Sequence, residues 1–267
     1  MTAKNSFAPF HLNNRAAMIT GAASGIGAAT ARLFAAAGAD LALGWYPPDG
    51  HDIEPVVREA KKAGAKVVVE EVDVRSQILV DRLADAAVDA FGRLDIAIAN
   101  AGIARIEPVP EKVDEELWAK VIDVNLTGAW RCFKAAIPAM RRAGYGRLLA
   151  TSSVSGPIQA WVEHTSYAAS KGGIVGMINT LAVELGPAGI TVNGVAPGVI
   201  ESPQSTDPVN SLGPEGVAAQ AALVPVRRVG NCDDVASAFL YLASVEAGYV
   251  NGHVLVVDGG RWLAGSD

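Results

Sequence analysis

Cysteine is scarce in this chain of 267 residues: only Cys132 and Cys232 occur. Two thiols so far apart supply neither a CxxC pair nor a disulfide framework, and both read as reduced core residues. Basic residues are outnumbered, 22 against 28 acidic ones, for a formal net charge of −6. Such a balance lacks the sequence-independent attraction that phosphate backbones require, which excludes nucleic acid as the expected partner. Histidine is also rare. His11, His51, His164 and His253 fall at no ligand spacing such as HExxH, and no Cys/His cluster exists, so no metal is expected. No run approaches eighteen consecutive apolar residues; Arg32 and Asp40 interrupt the Ala-rich segment that comes nearest. The first fifteen residues carry Lys4 without a continuous apolar segment, unlike a secretory signal. The expectation is a soluble, cytoplasmic protein with no membrane partner. Residues 1–15 form an N-terminal extension, and 16–267 a single domain.

Half of the residues are hydrophobic and 28 are Gly, ample for one large α/β core with many turns. Short apolar runs alternate with helical patterns. Strands are expected at Ala16–Ile19, Leu41–Leu43, Val67–Val69, Ile96–Ala99, Arg147–Ala150, Ile190–Val195 and Val254–Val257. Helices are expected at Ile26–Ala37, Ile53–Ala63, Ile78–Phe91, Glu115–Val124, Ala129–Arg142, Tyr167–Leu185 and Asp233–Ala243. Apolar runs without polar alternation suit strands buried on both faces of a parallel sheet. Their alternation with helices gives right-handed βαβ units and a doubly wound, Rossmann-like sheet of about seven strands flanked by helices. Gly38, Gly64 and Gly92 each stand just past an expected helix, where a left-handed cap favours Gly. Pro203, Pro208 and Pro214 break the rhythm and mark a substrate lid at about 199–224.

The first strand runs into Thr20-Gly21-Ala22-Ala23-Ser24-Gly25-Ile26-Gly27 and then a helix. Backbone N–H groups and the positive end of the helix dipole would face a diphosphate there. The spacing is Gly-x3-Gly-x-Gly, neither the GxGxxG fingerprint nor a Walker A loop, and alone it also suits an ordinary turn. Further on, Tyr167 and Lys171 stand at i and i+4, so a helix places them on one face. An ammonium beside a phenol stabilises the phenolate, so such a Tyr moves a proton at neutral pH, as carbonyl–alcohol interconversion requires. A surface Tyr over an ordinary Lys is the alternative for the pair taken alone.

Taken together, Thr20-Gly21-x3-Gly25-x-Gly27, Asp73-Val74, Asn100-Ala101-Gly102, Asn125, Ser153, Tyr167-x3-Lys171, Pro197-Gly198 and Asp258-Gly259-Gly260 stand in the order found in the single-domain branch of the short-chain dehydrogenase/reductase family, which the chain resembles over nearly its whole length. The resemblance implies an NAD(P)-dependent oxidoreductase interconverting a ketone or aldehyde and a secondary alcohol. Tyr167 would be the general acid or base, with Lys171 lowering its pKa and binding the nicotinamide ribose. Ser153 would donate to the substrate oxygen, and Asn125 would hold a relay water. Gly21, Ser24, Gly25, Ile26 and Gly27 would cradle the diphosphate. Asp73 and Val74 would contact adenine, while Asn100, Ala101 and Gly102 would back the adenosine. Pro197, Gly198, Ile200 and Ser202 would hold the carboxamide. Ser152 and Ser155 rival Ser153, whose spacing to Tyr167 is one longer than most members show; the extra residue is assigned to the loop 156–164.

At the tip of the second strand, where an acid selects NAD, stand Trp45 and Tyr46. No Arg or Lys replaces the acid, and position 24 is Ser. The reading leans to NADP(H) over NAD(H), with dual use open. Candidate substrate walls are Ile103, Trp161, Val162, His164 and the run Val217–Val224. Packing beneath the loop is the alternative for Trp161, and a solvated surface position for His164. A homotetramer is implied by the resemblance, with the helices from Ala129 and Tyr167 as its interface. A catalytically inactive nucleotide-binding module is the competing reading; it predicts loss of the Tyr or Lys, and both are present. An epimerase or dehydratase on a related fold would need different Gly-turn spacing and a larger C-terminal region.

Overall fold

The computed structural model describes residues 10–264; the first nine residues of the expected extension and the last three of the chain lie outside the described residues. Seven strands form the sheet: β1 (Ala16–Thr20), β2 (Asp40–Trp45), β3 (Val67–Glu71), β4 (Ile96–Ala99), β5 (Gly146–Thr151), β6 (Ile190–Pro197) and β7 (Val254–Val257). Every pairing is parallel, in the order β3-β2-β1-β4-β5-β6-β7. Each expected strand is present, extended by up to three residues.

Helices α1 (Gly25–Ala36), α2 (Glu54–Lys62), α3 (Gln77–Phe91), α4 (Glu115–Ile122), α5 (Gly128–Ala143), α6 (Thr165–Leu185), α7 (Gly213–Gln220) and α8 (Cys232–Ala243) cover the sheet. Successive strand residues point to opposite faces, and the core divides accordingly. Ala17, Ile19, Leu41 and Leu43 pack with Phe34 of α1, Val56 of α2 and Phe239 of α8. Met18, Ala42, Ala97 and Leu148 pack with Leu83 of α3, Phe133 of α5 and Ile178 of α6. Gly38, Gly64 and Gly92 adopt the positive φ expected of helix-ending glycines. Leu12 is buried in the first of these clusters, so the described end of the expected extension is packed into the domain.

Three local features depart from the expectations. A π-helical turn, Asp123–Thr127, joins α4 to α5 and carries Asn125. The proline-rich segment contains α7, with Pro214 in its first turn, where Pro lacks only an N–H that has no intrahelical partner. Cys132 is fully buried as expected, but Cys232 opens α8 half-buried, its Sγ 3.4 Å from the Glu201 carbonyl. Burial pushes the Cys132 thiol up to about 12. No helix among the described residues is long and apolar enough to cross a membrane.

Candidate active site

The strand order reverses between β1 and β4, and in such sheets ligands bind beyond the carboxyl ends of the strands at that point. Asn100, just past β4, fastens the two strand ends together. Its Nδ2 donates to the Thr20 and Gly21 carbonyls, each at 3.2 Å, and its Oδ1 accepts from Thr151 Oγ1 at 3.0 Å. Above this point opens a cleft of about 940 Å3, at the upper end of the ~300–1,000 Å3 usual for ligand pockets.

The Gly-rich turn forms one end of the cleft. Gly21 and Gly25 have φ of +64° and +53°, a region unfavourable to other residues. A Cβ on Gly27 would run into the Gly21 carbonyl oxygen and approach Asn100 Nδ2 to 2.6 Å, so this glycine sets how tightly the turn closes. Ser24, the N-cap of α1, makes no side-chain cap bond, and no acidic residue stands in the first turn. Those conditions fit a diphosphate on the helix N-terminus.

Tyr167, Lys171 and Ser153 form the other end, with Asn125 behind them. Tyr167 and Lys171 lie on α6, which begins two residues before the expected start, and both are buried. Lys171 Nζ donates to the Thr151 carbonyl at 2.7 Å and lies 5.4 Å from the Tyr167 ring centroid. Burial pulls the Lys171 ammonium down to about 8. Burial also raises the Tyr167 phenol above its usual range, against hydrogen bonds with Ser153 and Gln204 that lower it. Desolvation penalises the charged form of each group, and at Tyr167 it outweighs the hydrogen bonds from Ser153 and Gln204.

Among the three serines, Ser152 is committed to the Lys171 carbonyl, to which its hydroxyl donates at 3.0 Å. Ser153 meets Tyr167, and its Oγ accepts the Ser155 amide at 3.0 Å, leaving its own proton to donate elsewhere. Asn125 is buried and braces the site from behind. Its Nδ2 donates to the Ile103 carbonyl at 2.9 Å and to Ser170 Oγ at 3.1 Å, and its Oδ1 accepts the Ile103 amide at 2.8 Å.

Of the residues singled out from sequence, Gly21, Ser24, Gly25, Ile26, Tyr46, Asp73, Val74, Asn100, Ala101, Gly102, Ile103, Ser153, Trp161, Tyr167, Lys171, Pro197, Gly198, Ile200 and Ser202 all line the cleft. Four others do not. Gly27 and Asn125 stand behind the wall. Trp45 turns toward the core beside Leu41 and Leu43, its indole N–H donating to the His51 carbonyl at 2.8 Å. His164 is buried beneath Trp161, rings stacked at 3.7 Å, with its ring nitrogens beside the Val162 and Asn210 carbonyls. The solvated alternative for His164 is thereby overturned, and so is its place on the wall. Val162 is 78% exposed and off the cleft; of the run Val217–Val224, Gln220 lines the cleft, while Val217 and Val224 are buried outside it.

The structure also adds residues. Arg75 grips the Asp73 carboxylate, with Nε 3.0 Å from both oxygens, and reaches the Tyr46 hydroxyl at 3.4 Å. The hydrogen bond from Arg75 is the main reason the Asp73 carboxyl lies below its usual range. Glu107, Gln204 and Ser211 likewise escaped notice, since none lies in a local pattern. No group of three or more His, Cys, Asp or Glu among the described residues is placed to hold a metal ion.

Residues 21–261 match the family model described as enoyl-(acyl carrier protein) reductase. The chain is 38% identical over 246 residues to cis-4-hydroxycyclohexanecarboxylate dehydrogenase of Sinomonas cyclohexanicum, covering 92% of this chain and 96% of the relative. It is 39% identical over 253 residues to 3beta-hydroxysteroid dehydrogenase 1 of Eggerthella lenta, covering 94% and 95%. Among solved structures, carveol dehydrogenase from Mycobacterium avium in complex with NAD superposes with a TM-score of 0.87 at 32% identity, covering 95% of this chain and 99% of that one. The cleft thus sits in a molecule similar along nearly its whole length to dehydrogenases and reductases, and the chain belongs to the short-chain dehydrogenase/reductase family, nicotinamide-dependent oxidoreductases that act on alcohols and ketones.

Proposed function

We propose that this protein interconverts a ketone and a secondary alcohol with Tyr167 as the proton donor or acceptor. The observation that carries this reading is the meeting of Tyr167, Ser153 and Lys171 in one buried corner of the cleft. A nicotinamide cofactor, when bound, supplies or accepts the hydride. Ser153, its Oγ already holding the Ser155 amide, points its proton at the substrate oxygen and stabilises charge developing there. Tyr167 gives that oxygen its proton in reduction and removes it in oxidation. Lys171, fixed by the Thr151 carbonyl, keeps positive charge beside the phenol as proton transfer proceeds. Asn125 Oδ1, which keeps one acceptor position beyond the Ile103 amide, holds the relay water.

The cofactor preferred under this reading is NADP(H). Arg75 supports it: two residues past Asp73 in sequence, its guanidinium reaches the Tyr46 hydroxyl just beyond β2, the strand whose end meets the ribose 2′ position in such folds. We also propose a cytoplasmic homotetramer. Trp118 on α4 and Trp130 on α5 are 39% and 46% exposed, apolar area of the kind an interface covers; light scattering on the purified protein gives the mass that tests it.

The function is tested by titrating NADPH and NADH into the protein, then by assaying Tyr167→Phe. The expected result is binding in both proteins and a loss of activity of about 10²–10⁴-fold in the variant. A variant within a few-fold of the parent overturns the assignment.

A further inference from the structure

Two hydroxyls in the cleft wall have no hydrogen-bond partner among the described residues: Ser155 Oγ and Ser211 Oγ. Both residues are buried, at 3% and 9% exposure, and both line the cleft. They come from different parts of the chain, Ser155 from the segment after β5 and Ser211 from the one before α7. Their backbone amides are committed. That of Ser155 donates to Ser153 Oγ and that of Ser211 to the Asp207 carbonyl, each at 3.0 Å.

Buried polar groups are nearly always paired, and one left without a partner loses its hydration for nothing in return. Gln77 Oε1 and Thr191 Oγ1 are also unpaired but lie away from the cleft, whereas Ser155 and Ser211 stand where a ligand would come. Ser155 is tied to the reacting centre through Ser153. Ser211 follows Asn210, whose carbonyl faces His164 beneath Trp161, so its place is on the Trp161 side of the cleft. Resting on the proposed function, we infer that the substrate carries, besides the carbon that is oxidised or reduced, a second uncharged oxygen function, a hydroxyl or carbonyl, which hydrogen-bonds Ser155 and Ser211. A serine hydroxyl both donates and accepts, and so serves either group. It carries no charge to offset a buried carboxylate. A substrate lacking the second oxygen displaces whatever solvent the cleft holds and leaves both hydroxyls unpaired. Sites built to hydrogen-bond a substrate oxygen reject analogues that lack it.

The test is calorimetric titration of the protein, saturated with reduced cofactor so that alcohols bind without turnover. The probes are cyclohexanol, cyclohexane-1,2-diol, cyclohexane-1,4-diol and 4-hydroxycyclohexanecarboxylate. At least one diol is expected to bind about tenfold more tightly than cyclohexanol, and the ratio is expected to fall toward one in the Ser155→Ala/Ser211→Ala double variant. Using a ratio separates recognition from general damage, which weakens both ligands alike. Four results overturn the inference: equal binding of diols and cyclohexanol, a ratio unchanged in the variant, no binding by any probe, or tightest binding by the carboxylate. Cofactor binding and the Tyr167→Phe assay report separately on the reading beneath it.

Discussion

The Glu107 carboxylate accepts both the backbone amide of Ser166, at 3.0 Å, and its side-chain hydroxyl, across 59 residues of sequence. Glu107 is only 3% exposed, and Ser166 immediately precedes Tyr167 in the first turn of α6. A negative charge at that end complements the helix dipole and holds an N–H that has no intrahelical partner. The contact fixes where α6 begins, and so where the phenol stands. Glu107→Ala is expected to cost about 1–3 kcal/mol of stability and to reduce kcat more than it raises KM. Thermal unfolding together with steady-state kinetics checks both parts; a kcat equal to the parent's would refute the positioning role.

The pKa of Lys171 sets a pH dependence. Its folded value is about 8, against 10.5 for an unburied lysine. Reduction needs the phenol protonated and the ammonium charged, so kcat/KM for reduction is expected to fall as pH rises through about 8. Stability moves in the other direction. Between about 8 and 10.5 the unfolded chain binds the proton that the folded lysine has lost, so this group makes the fold more stable as pH rises across that window. Above 10 the raised Tyr167 value opposes it, since the folded phenol keeps a proton that the unfolded one releases. A pH–rate profile and unfolding midpoints at several pH values separate the two effects.

Arg75→Ala tests the cofactor preference. Removing the guanidinium is expected to weaken NADPH by about tenfold relative to NADH, because the Tyr46 hydroxyl alone carries no charge to meet a phosphate. An unchanged ratio of the two affinities would leave Arg75 as nothing more than the partner of Asp73.

Gly27→Ala adds a methyl group where the Gly21 carbonyl and Asn100 Nδ2 already stand. The turn must open to accept it. Binding of both NADPH and NADH is expected to weaken together, unlike the selective loss in Arg75→Ala, and equilibrium titration distinguishes the two patterns.

Much of this architecture was legible in the residues. Strands buried on both faces write themselves as unbroken apolar runs, and all seven were found at or near their observed bounds. The Tyr167–Lys171 pairing needs only the helical period. What was missed lies mostly outside local periodicity. Arg75 follows β3 in sequence but meets the tip of β2 in space, so the residues around Trp45 and Tyr46 show no basic side chain even though one stands beside them in the fold. Glu107 sits in a segment with no regular pattern, and its partner is far along the chain. The helix α7 hid behind Pro214, read as a breaker where it stands in the first turn. Trp45 was the readable error: Leu41, Leu43 and Trp45 alternate along β2, and period two turns all three toward the same core cluster.

The π-helical turn at 123–127 has a consequence for how this region tolerates change. A wider turn inserts a residue into the helical count, and each residue of an α-helix advances the chain by about 100°. The wider turn takes up that surplus within itself, so α5 beyond it, including Phe133, Ala136 and Met140, keeps the phase that an uninterrupted helix would give it. Deleting one residue within the segment would restore the ordinary count and leave the buried stripe of α5 turned toward α3 and β4. What would be lost is the bulge itself, which carries Asn125. The turn thus serves the placing of one side chain more than the packing of the helix that follows.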